Sequence, residues 1–310
     1  MKKIFLIFVI IITGTLLLSE EQKMEPLKEE IKKLLPPNSA ICKCASFSNK
    51  PKVKIGKYKY PGPWYGNSIQ ELNEWGKNIK EQDCIIQSDV DDDGKNELIV
   101  AYYENDNKND DLSRCYLCIY KKINDKYVLQ FQAKGGWVTD SLEVDNLLDN
   151  KKKQIVWNSG TGASIGYGLF VFQYDGHEYK SMMPARTDLN WGYAIIDIDN
   201  DKEKEIICHN RYGSLPLVYK WNNRKNEFEI MSDKNQLIKY YKMVINIVKD
   251  PFNEEKEFDY GYALALFECY DKLNDYKNAM KMGKQLMLTG GGFNWYDSVK
   301  ARMSQLEKNH

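Results

Sequence analysis

The chain has 310 residues, with 44 basic side chains against 44 acidic ones. This balance leaves no global field to recruit nucleic acid or an anionic surface. Seven cysteines are an odd count, and too few for a disulfide framework at this length.

The chain opens with Met1-Lys2-Lys3, runs through an apolar stretch from Ile4 to Leu18, and leads into Ser19-Glu20-Glu21. Two lysines, an apolar core and an acidic exit form a secretory leader. At ~1.5 Å per residue the core spans roughly 22 Å, short of the ~30 Å hydrocarbon layer. Residues 1–19 therefore read as a signal peptide, with a retained N-terminal anchor as the alternative. The expected location is secreted or cell-surface, with membrane contact only through an uncleaved leader. Residues 20–80 read as a helix plus divergent strands. Met24, Leu27, Ile31 and Leu34 share one helical face, which stops at Pro36-Pro37. The aromatics around Trp64 and Tyr65 could stack on sugars, although core or turn packing is the simpler reading.

Residues 89–97 read Asp89-Val90-Asp91-Asp92-Asp93-Gly94-Lys95-Asn96-Glu97, and the apolar run Leu98 to Tyr103 follows. Carboxylates at alternate positions repel one another. A hard cation taking roughly six to eight oxygens removes that repulsion, and Ca²⁺ fits better than Mg²⁺, which demands a rigid octahedron. Asp89, Asp91, Asp93 and Glu97 would supply side-chain oxygens and Lys95 its carbonyl, with Gly94 at the sharp turn. An EF-hand would need a Glu at the twelfth position, where Val100 stands, and a helix beyond it.

The pattern returns at Asp197, Asp199, Asp201, Glu203 and Glu205, ahead of Ile206-Ile207-Cys208. Lys202 replaces Gly94 there, so either a strained turn or a weaker site is expected. Asp197 lies 108 residues beyond Asp89, or two periods of 54. Near the midpoint Asp145 opens a further copy that places Leu147 and Lys153 at ligand positions, so metal is expected at the outer loops and not at this one. Periods of about 50 residues built from short strands point to propeller-like arrays. The strand signals after the first loop are Leu98–Tyr103, Cys115–Lys121, Tyr127–Ala133 and Trp137–Val144. Those after the second are Gln154–Asn158, Gly168–Tyr174, Glu178–Met182 and Gly192–Ile198.

These residues resemble the FG-GAP and VCBS (integrin-alpha-like) repeat families, whose blades carry an Asp-x-Asp-x-Asp-Gly-x-x-Asp/Glu loop feeding an apolar strand. The resemblance covers about residues 80 to 230. It implies a structural Ca²⁺ at Asp89, Asp91, Asp93 and Glu97. It leaves function open, since such chains serve adhesion, ligand binding and occasionally catalysis. Closed propellers need about four to eight blades, and three are visible. Either residues 38–80 supply a divergent blade, or the array stays open, or another subunit completes it.

From Ser232 the period changes from two to about 3.6. Leu237, Tyr241, Val244 and Val248 form one stripe, with Ser232 as N-cap and Pro251 as stop. Further helices are expected over Tyr262–Leu273, Tyr276–Leu288 and near Trp295–Leu306. Ala263, Leu266, Phe267, Tyr270, Leu273, Tyr276 and Ala279 resemble a tetratricopeptide hairpin, with Phe267 where a small residue is usual and Gly283 where an aromatic is usual. One copy is too few to stand alone, so a helical cap docked on the β region is expected.

Cys115 and Cys118 sit three apart in a strand and so face opposite ways. Cys42 and Cys44 share a face, with no sequence signal for partners. His177, His209 and His310 read as loop or surface residues. Gly160-Thr161-Gly162-Ala163-Ser164-Ile165-Gly166 precedes no helix, so it reads as a wide turn rather than a phosphate cradle. No catalytic constellation stands out. The expected architecture is mainly β, with about three four-stranded FG-GAP-like units in an incomplete or open propeller over residues 81–231, then a small tetratricopeptide-like α-helical domain over 232–310. The expected role is that of a calcium-binding, non-catalytic protein whose partner is a cell-surface protein or glycan. A carbohydrate-active hydrolase or lyase, and a scaffold recruiting proteins through the helices, are the alternatives.

Overall fold

A computed structural model describes residues 24–45, 52–55, 58–61, 81–104, 114–148, 152–160, 167–183, 190–210, 217–254, 260–288 and 296–309. The expected leader, the Trp64–Tyr65 cluster, His310 and residues 161–166 of the expected wide turn lie outside these. No helix among the described residues is long and apolar enough to cross a membrane.

The fold is mainly β. After helix α1 (24–34) come β1 (Ser39–Ile41), β2 (Lys43–Ala45), β3 (Lys52–Ile55), β4 (Tyr58–Pro61) and β5 (Glu81–Asp83). Three antiparallel meanders of four strands follow. Unit I is β6 (Ile85–Ser88), β7 (Glu97–Glu104), β8 (Arg114–Ile123) and β9 (Lys126–Lys134). Unit II is β10 (Val138–Asp145), β11 (Gln154–Gly160), β12 (Tyr167–Tyr174) and β13 (Tyr179–Ser181). Unit III is β14 (Asn190–Ile196), β15 (Glu205–Asn210), β16 (Leu217–Asn222) and β17 (Glu227–Ile230). Each acidic loop joins the first and second strands of a unit. The strand before each loop therefore belongs with the strands after it, one strand earlier than a grouping that starts from the loop.

The central strands bury both faces, and the alternation of side chains decides what each face meets. In β7, Leu98, Val100 and Tyr102 pack with Ile31 and Leu35 of the α1 region. Ile99 and Ala101 point the other way, into a cluster with Ile155, Trp157 and Phe172 of unit II. Val156, Leu169 and Val171 of unit II then meet Ile206, Cys208 and Tyr219 of unit III. Ile207 and Val218 of unit III face the C-terminal helices, through Val244, Leu264 and Phe267. The layers thus run α1, unit I, unit II, unit III, helices.

The helical layer comprises α2 (Lys234–Glu254), α3 (Tyr260–Lys272), α4 (Tyr276–Met287) and α5 (Tyr296–Asn309). Two sequence expectations shift here. The N-cap of α2 is Asp233 rather than Ser232, because the Gln236 N–H donates to Asp233 Oδ1 at 2.9 Å. Pro251 does not stop the helix but lies in its last turn. The departures at Phe267 and Gly283 compensate each other. A Cβ at Gly283 would meet Met303 Sδ at 2.5 Å and Phe267 Cε2 at 3.1 Å, so the large side chain on α3 fills the space left by the small residue on α4.

Gly135 is a second close approach. A Cβ there would fall 2.4 Å from both Ser159 Oγ and the Trp157 ring, and Trp157 is fully buried with its indole N–H on Thr139 Oγ1. Gly135→Ala is expected to cost about 1–3 kcal/mol by overpacking. The readout is a lower urea midpoint at unchanged slope; an unmoved midpoint would show that Trp157 is free to yield.

Candidate metal centres

Among the described residues, two groups of three acidic side chains place ligand atoms within 4.8 Å of one another. They are Asp89, Asp91 and Glu97 in unit I, and Asp197, Asp199 and Glu205 in unit III. Loop closure explains how they converge. Glu97 is fully buried at the start of β7 and accepts the Val90 N–H on Oε2 at 3.0 Å. Asp89 Oδ2 accepts the Gly94 N–H at 3.0 Å, and Asp93 Oδ1 accepts the Lys95 N–H at 2.9 Å. In unit III, Glu205 Oε2 accepts the Ile198 N–H at 2.8 Å, while Asp197 takes the Asp201 and Lys202 N–H groups, each at 3.1 Å. The two loops share two left-handed backbone positions: Asp92 (φ 64°) matches Asn200 (φ 62°), and Gly94 (φ 83°) matches Lys202 (φ 76°).

Two lysines absent from the sequence reading complete the picture. The register Leu98↔Tyr120 sets Glu97 opposite Lys121, whose ammonium pairs with Asp91 and lies 2.8 Å from Asp93 Oδ2. The register Ile206↔Tyr219 likewise sets Glu205 opposite Lys220, which lies 2.9 Å from Asp199, 2.8 Å from Asp201 and 3.1 Å from Glu205. Gln236 of α2 adds a bond to Asp199 Oδ2 at 2.8 Å. The connection between the paired strands differs in length from unit to unit, so no fixed sequence offset marks these lysines.

The middle loop repeats the frame without the charge. Gln154 Oε1 accepts the Leu147 N–H at 2.7 Å, the same reach back over seven residues, and Gln154 Nε2 donates to Gln173 at 2.6 Å. Gln154 and Gln173 therefore replace the Glu–Lys pair. This register corrects the sequence alignment by one residue. Asn146 matches Asp89, Leu148 matches Asp91, and Gln154, not Lys153, matches Glu97. Asp145 precedes the loop and takes a hydrogen bond from Lys204 at 2.6 Å.

Of the expected ligands, Asp93 and Asp201 join their clusters through the lysines. Lys95 and Glu203 occupy equivalent positions, each donating its N–H to the preceding Asp. Burial pushes the carboxyls of Glu97 and Glu205 above their ordinary values, against the backbone N–H bonds that favour their charged forms. Burial is the largest influence on Asp199 and raises it, but Lys220 together with the Gln236 and Asp201 hydrogen bonds holds that carboxyl below its ordinary value.

Whether these residues fit a cation turns on unused oxygens. Asp89 Oδ1 and Glu97 Oε1 in unit I, and Asp199 Oδ1 in unit III, are buried without a hydrogen-bond partner. Orphaned buried acceptors are costly, and an all-oxygen donor set suits a hard cation such as Ca²⁺. The first cluster leaves Glu97 Oε1 open, whereas in the third Lys220 already occupies Glu205 Oε1.

Lys220→Met should lower the thermal midpoint in chelator by an amount equivalent to up to about 3 kcal/mol, since it leaves carboxylates unpaired. Millimolar Ca²⁺ should recover more of this loss than it adds to the native protein; equal losses with and without Ca²⁺ would show that Lys220 does not stand in for a cation. Lys202→Gly should gain about 0.5–1 kcal/mol, the relief of a left-handed side-chain residue less the added freedom of the unfolded chain, measured by chemical denaturation. No protein-family model and no curated protein matches this chain.

Proposed function

We propose that this chain is a secreted or surface-anchored protein of the FG-GAP/VCBS kind, in which an incomplete propeller of three units is braced by Ca²⁺ and presents a surface to a cell-surface partner. The observation that carries the reading is the unit I cluster: three carboxylates within 4.8 Å, with buried oxygens of Asp89 and Glu97 left unpartnered. Asp89, Asp91, Asp93 and Glu97 would hold the ion. The ion would supply positive charge and oxygen coordination. The chain's own residues do the rest: Glu97 ties the loop to β7, and Lys121 offsets part of the negative charge.

Helical layers on the outer faces of units I and III support an open array rather than a ring. A protein partner is favoured over a glycan by the β8–β9 hairpin, where Ile123, Val128 and Leu129 are 44%, 42% and 47% exposed next to an edge of β9 that pairs with no other strand among the described residues. Recruitment through the helical hairpin has less support, because Leu266 is buried and Tyr270 packs on the same cluster.

Thermal unfolding of the full chain in EDTA, then in millimolar Ca²⁺ or Mg²⁺, tests the brace. With ~1 mM Ca²⁺ and a dissociation constant of ~0.1 mM, one site adds roughly 1.4 kcal/mol. That corresponds to about 2 °C for a chain of this size. Asp91→Ala should remove most of the gain and Asp199→Ala little of it. A midpoint indifferent to all cations would sink the proposal.

A further inference from the structure

Four of the seven cysteines collect in one place. Cys42, Cys44, Cys84 and Cys115 are all buried in the cluster between the N-terminal strands and units I and II. They arrive from separate stretches of chain: Cys42 and Cys44 flank Lys43 at the start of β2, Cys84 links β5 to β6, and Cys115 lies in β8. The other three cysteines are scattered. Cys118 lies on the opposite face of β8 against α1, Cys208 lies between units II and III, and Cys269 lies in the helical layer.

Within the group the thiols meet two by two. Cys42 Sγ lies 3.6 Å from Cys115 Sγ, across 73 residues of chain. Cys44 stands opposite Gln82 in the β2–β5 pair, one diagonal step from Cys84, whose thiol it meets. The backbone holds these strands in place: the Cys84 N–H donates to the Cys42 carbonyl at 2.9 Å, and the Ala101 N–H to the Cys84 carbonyl at 3.0 Å.

A tetrathiolate metal site is the competing chemistry. Zinc–sulfur bonds of ~2.3 Å in a tetrahedron would bring all four sulfurs within about 4 Å of one another. Among the described residues no three thiols meet even within 4.8 Å, the only such groups being the two acidic ones. The arrangement is two pairs, not one centre.

We propose that Cys42 with Cys115, and Cys44 with Cys84, form two disulfide bridges that fasten the N-terminal segment to unit I. Van der Waals contact between sulfurs closes to a bond of ~2.05 Å. The oxidant is an exchanging disulfide, either a small one such as glutathione disulfide or that of a protein oxidase. The Cys115 thiolate attacks one sulfur of that disulfide, forming a mixed disulfide and releasing one thiolate. The Cys42 thiolate then attacks Cys115 Sγ, forming the bridge and releasing the second thiol. Two electrons pass to the oxidant for each bridge, and the two protons lost by the cysteines end on its thiols. Because all four are buried, the exchange belongs to folding, before the core closes. The inference is independent of the calcium reading.

The test refolds the full chain in a glutathione redox buffer, denatures it without reductant and alkylates it. The expected result is three modified cysteines, Cys118, Cys208 and Cys269, with the other four modified only after reduction. A non-reducing digest should yield peptides joining Cys42 to Cys115 and Cys44 to Cys84, and reductant should lower the thermal midpoint. Cys118→Ala should keep that sensitivity, whereas the double variant Cys42→Ala, Cys115→Ala should lose part of it. Modification of all seven cysteines without reduction would overturn the proposal. So would any other pairing among the four, or their release by a chelator instead of a reductant.

Discussion

A backbone N–H that leaves a sheet at the second position of a tight loop, beside an apolar side chain in the core, has no water to turn to and must find an acceptor. All three units solve this in the same way. The first side chain of the second strand reaches back seven residues: Glu97 to Val90, Gln154 to Leu147 and Glu205 to Ile198. Val90, Leu147 and Ile198 are all buried, so the bond and the apolar plug act together. What that side chain is then decides the rest of the loop. A buried carboxylate demands positive charge, and the facing strand supplies Lys121 or Lys220. A buried amide demands only another amide, and Gln173 supplies it. Freed from holding charge, the middle loop can place Leu148 where its neighbours hold Asp91 and Asp199, and Leu147 and Leu148 both enter the core.

The same alternation sets the order of layers. The residue after the anchoring Glu or Gln faces the preceding layer, and the next faces the following one, as Ile155 and Val156 do. Each unit therefore has two apolar faces, and a stack of three leaves two faces to cover. Helix α1 covers one and α2 to α5 the other. A single helical hairpin is marginal alone because its apolar face has nothing to meet. Here Ile207 and Val218 provide that surface.

Much of this was legible in the sequence, and the gaps have physical causes. The acidic loops, the strands after them, the faces of Cys115 and Cys118, and the C-terminal helices all follow from local chemistry or periodicity. The middle register slipped because Asp145 looks like a ligand. The better guide was the buried second position, where Val90 and Ile198 align with Leu147. Lys121 and Lys220 were hidden because cross-strand partners depend on the length of an intervening connection, which a repeat period does not encode. The neighbours of Cys42 and Cys44 were hidden for the same reason. Strand pairing over 40 to 70 residues brings them together, and no spacing rule reports it. Cys118 on β8 shows that strand membership alone would not have sufficed.

The loops also connect one layer to the next. Lys153 and Lys204 hold the same position in their loops, and each reaches the residue preceding the loop of the unit before it: Lys153 Nζ donates to Ser88 Oγ at 3.1 Å, and Lys204 Nζ to Asp145 at 2.6 Å. The Lys204 N–H also donates to the Leu147 carbonyl at 2.7 Å. At the far end, Gln236 carries the series into α2 through Asp199. The three loops therefore form a continuous seam along one edge of the stack. A loop with Lys151, Lys152 and Lys153 against the single Asp149 lies in the middle of that seam, with acid clusters on either side of it, so the two negative clusters are kept a full unit apart. Loosening one cluster would relax more than its own hairpin, because the neighbouring unit leans on the same loop.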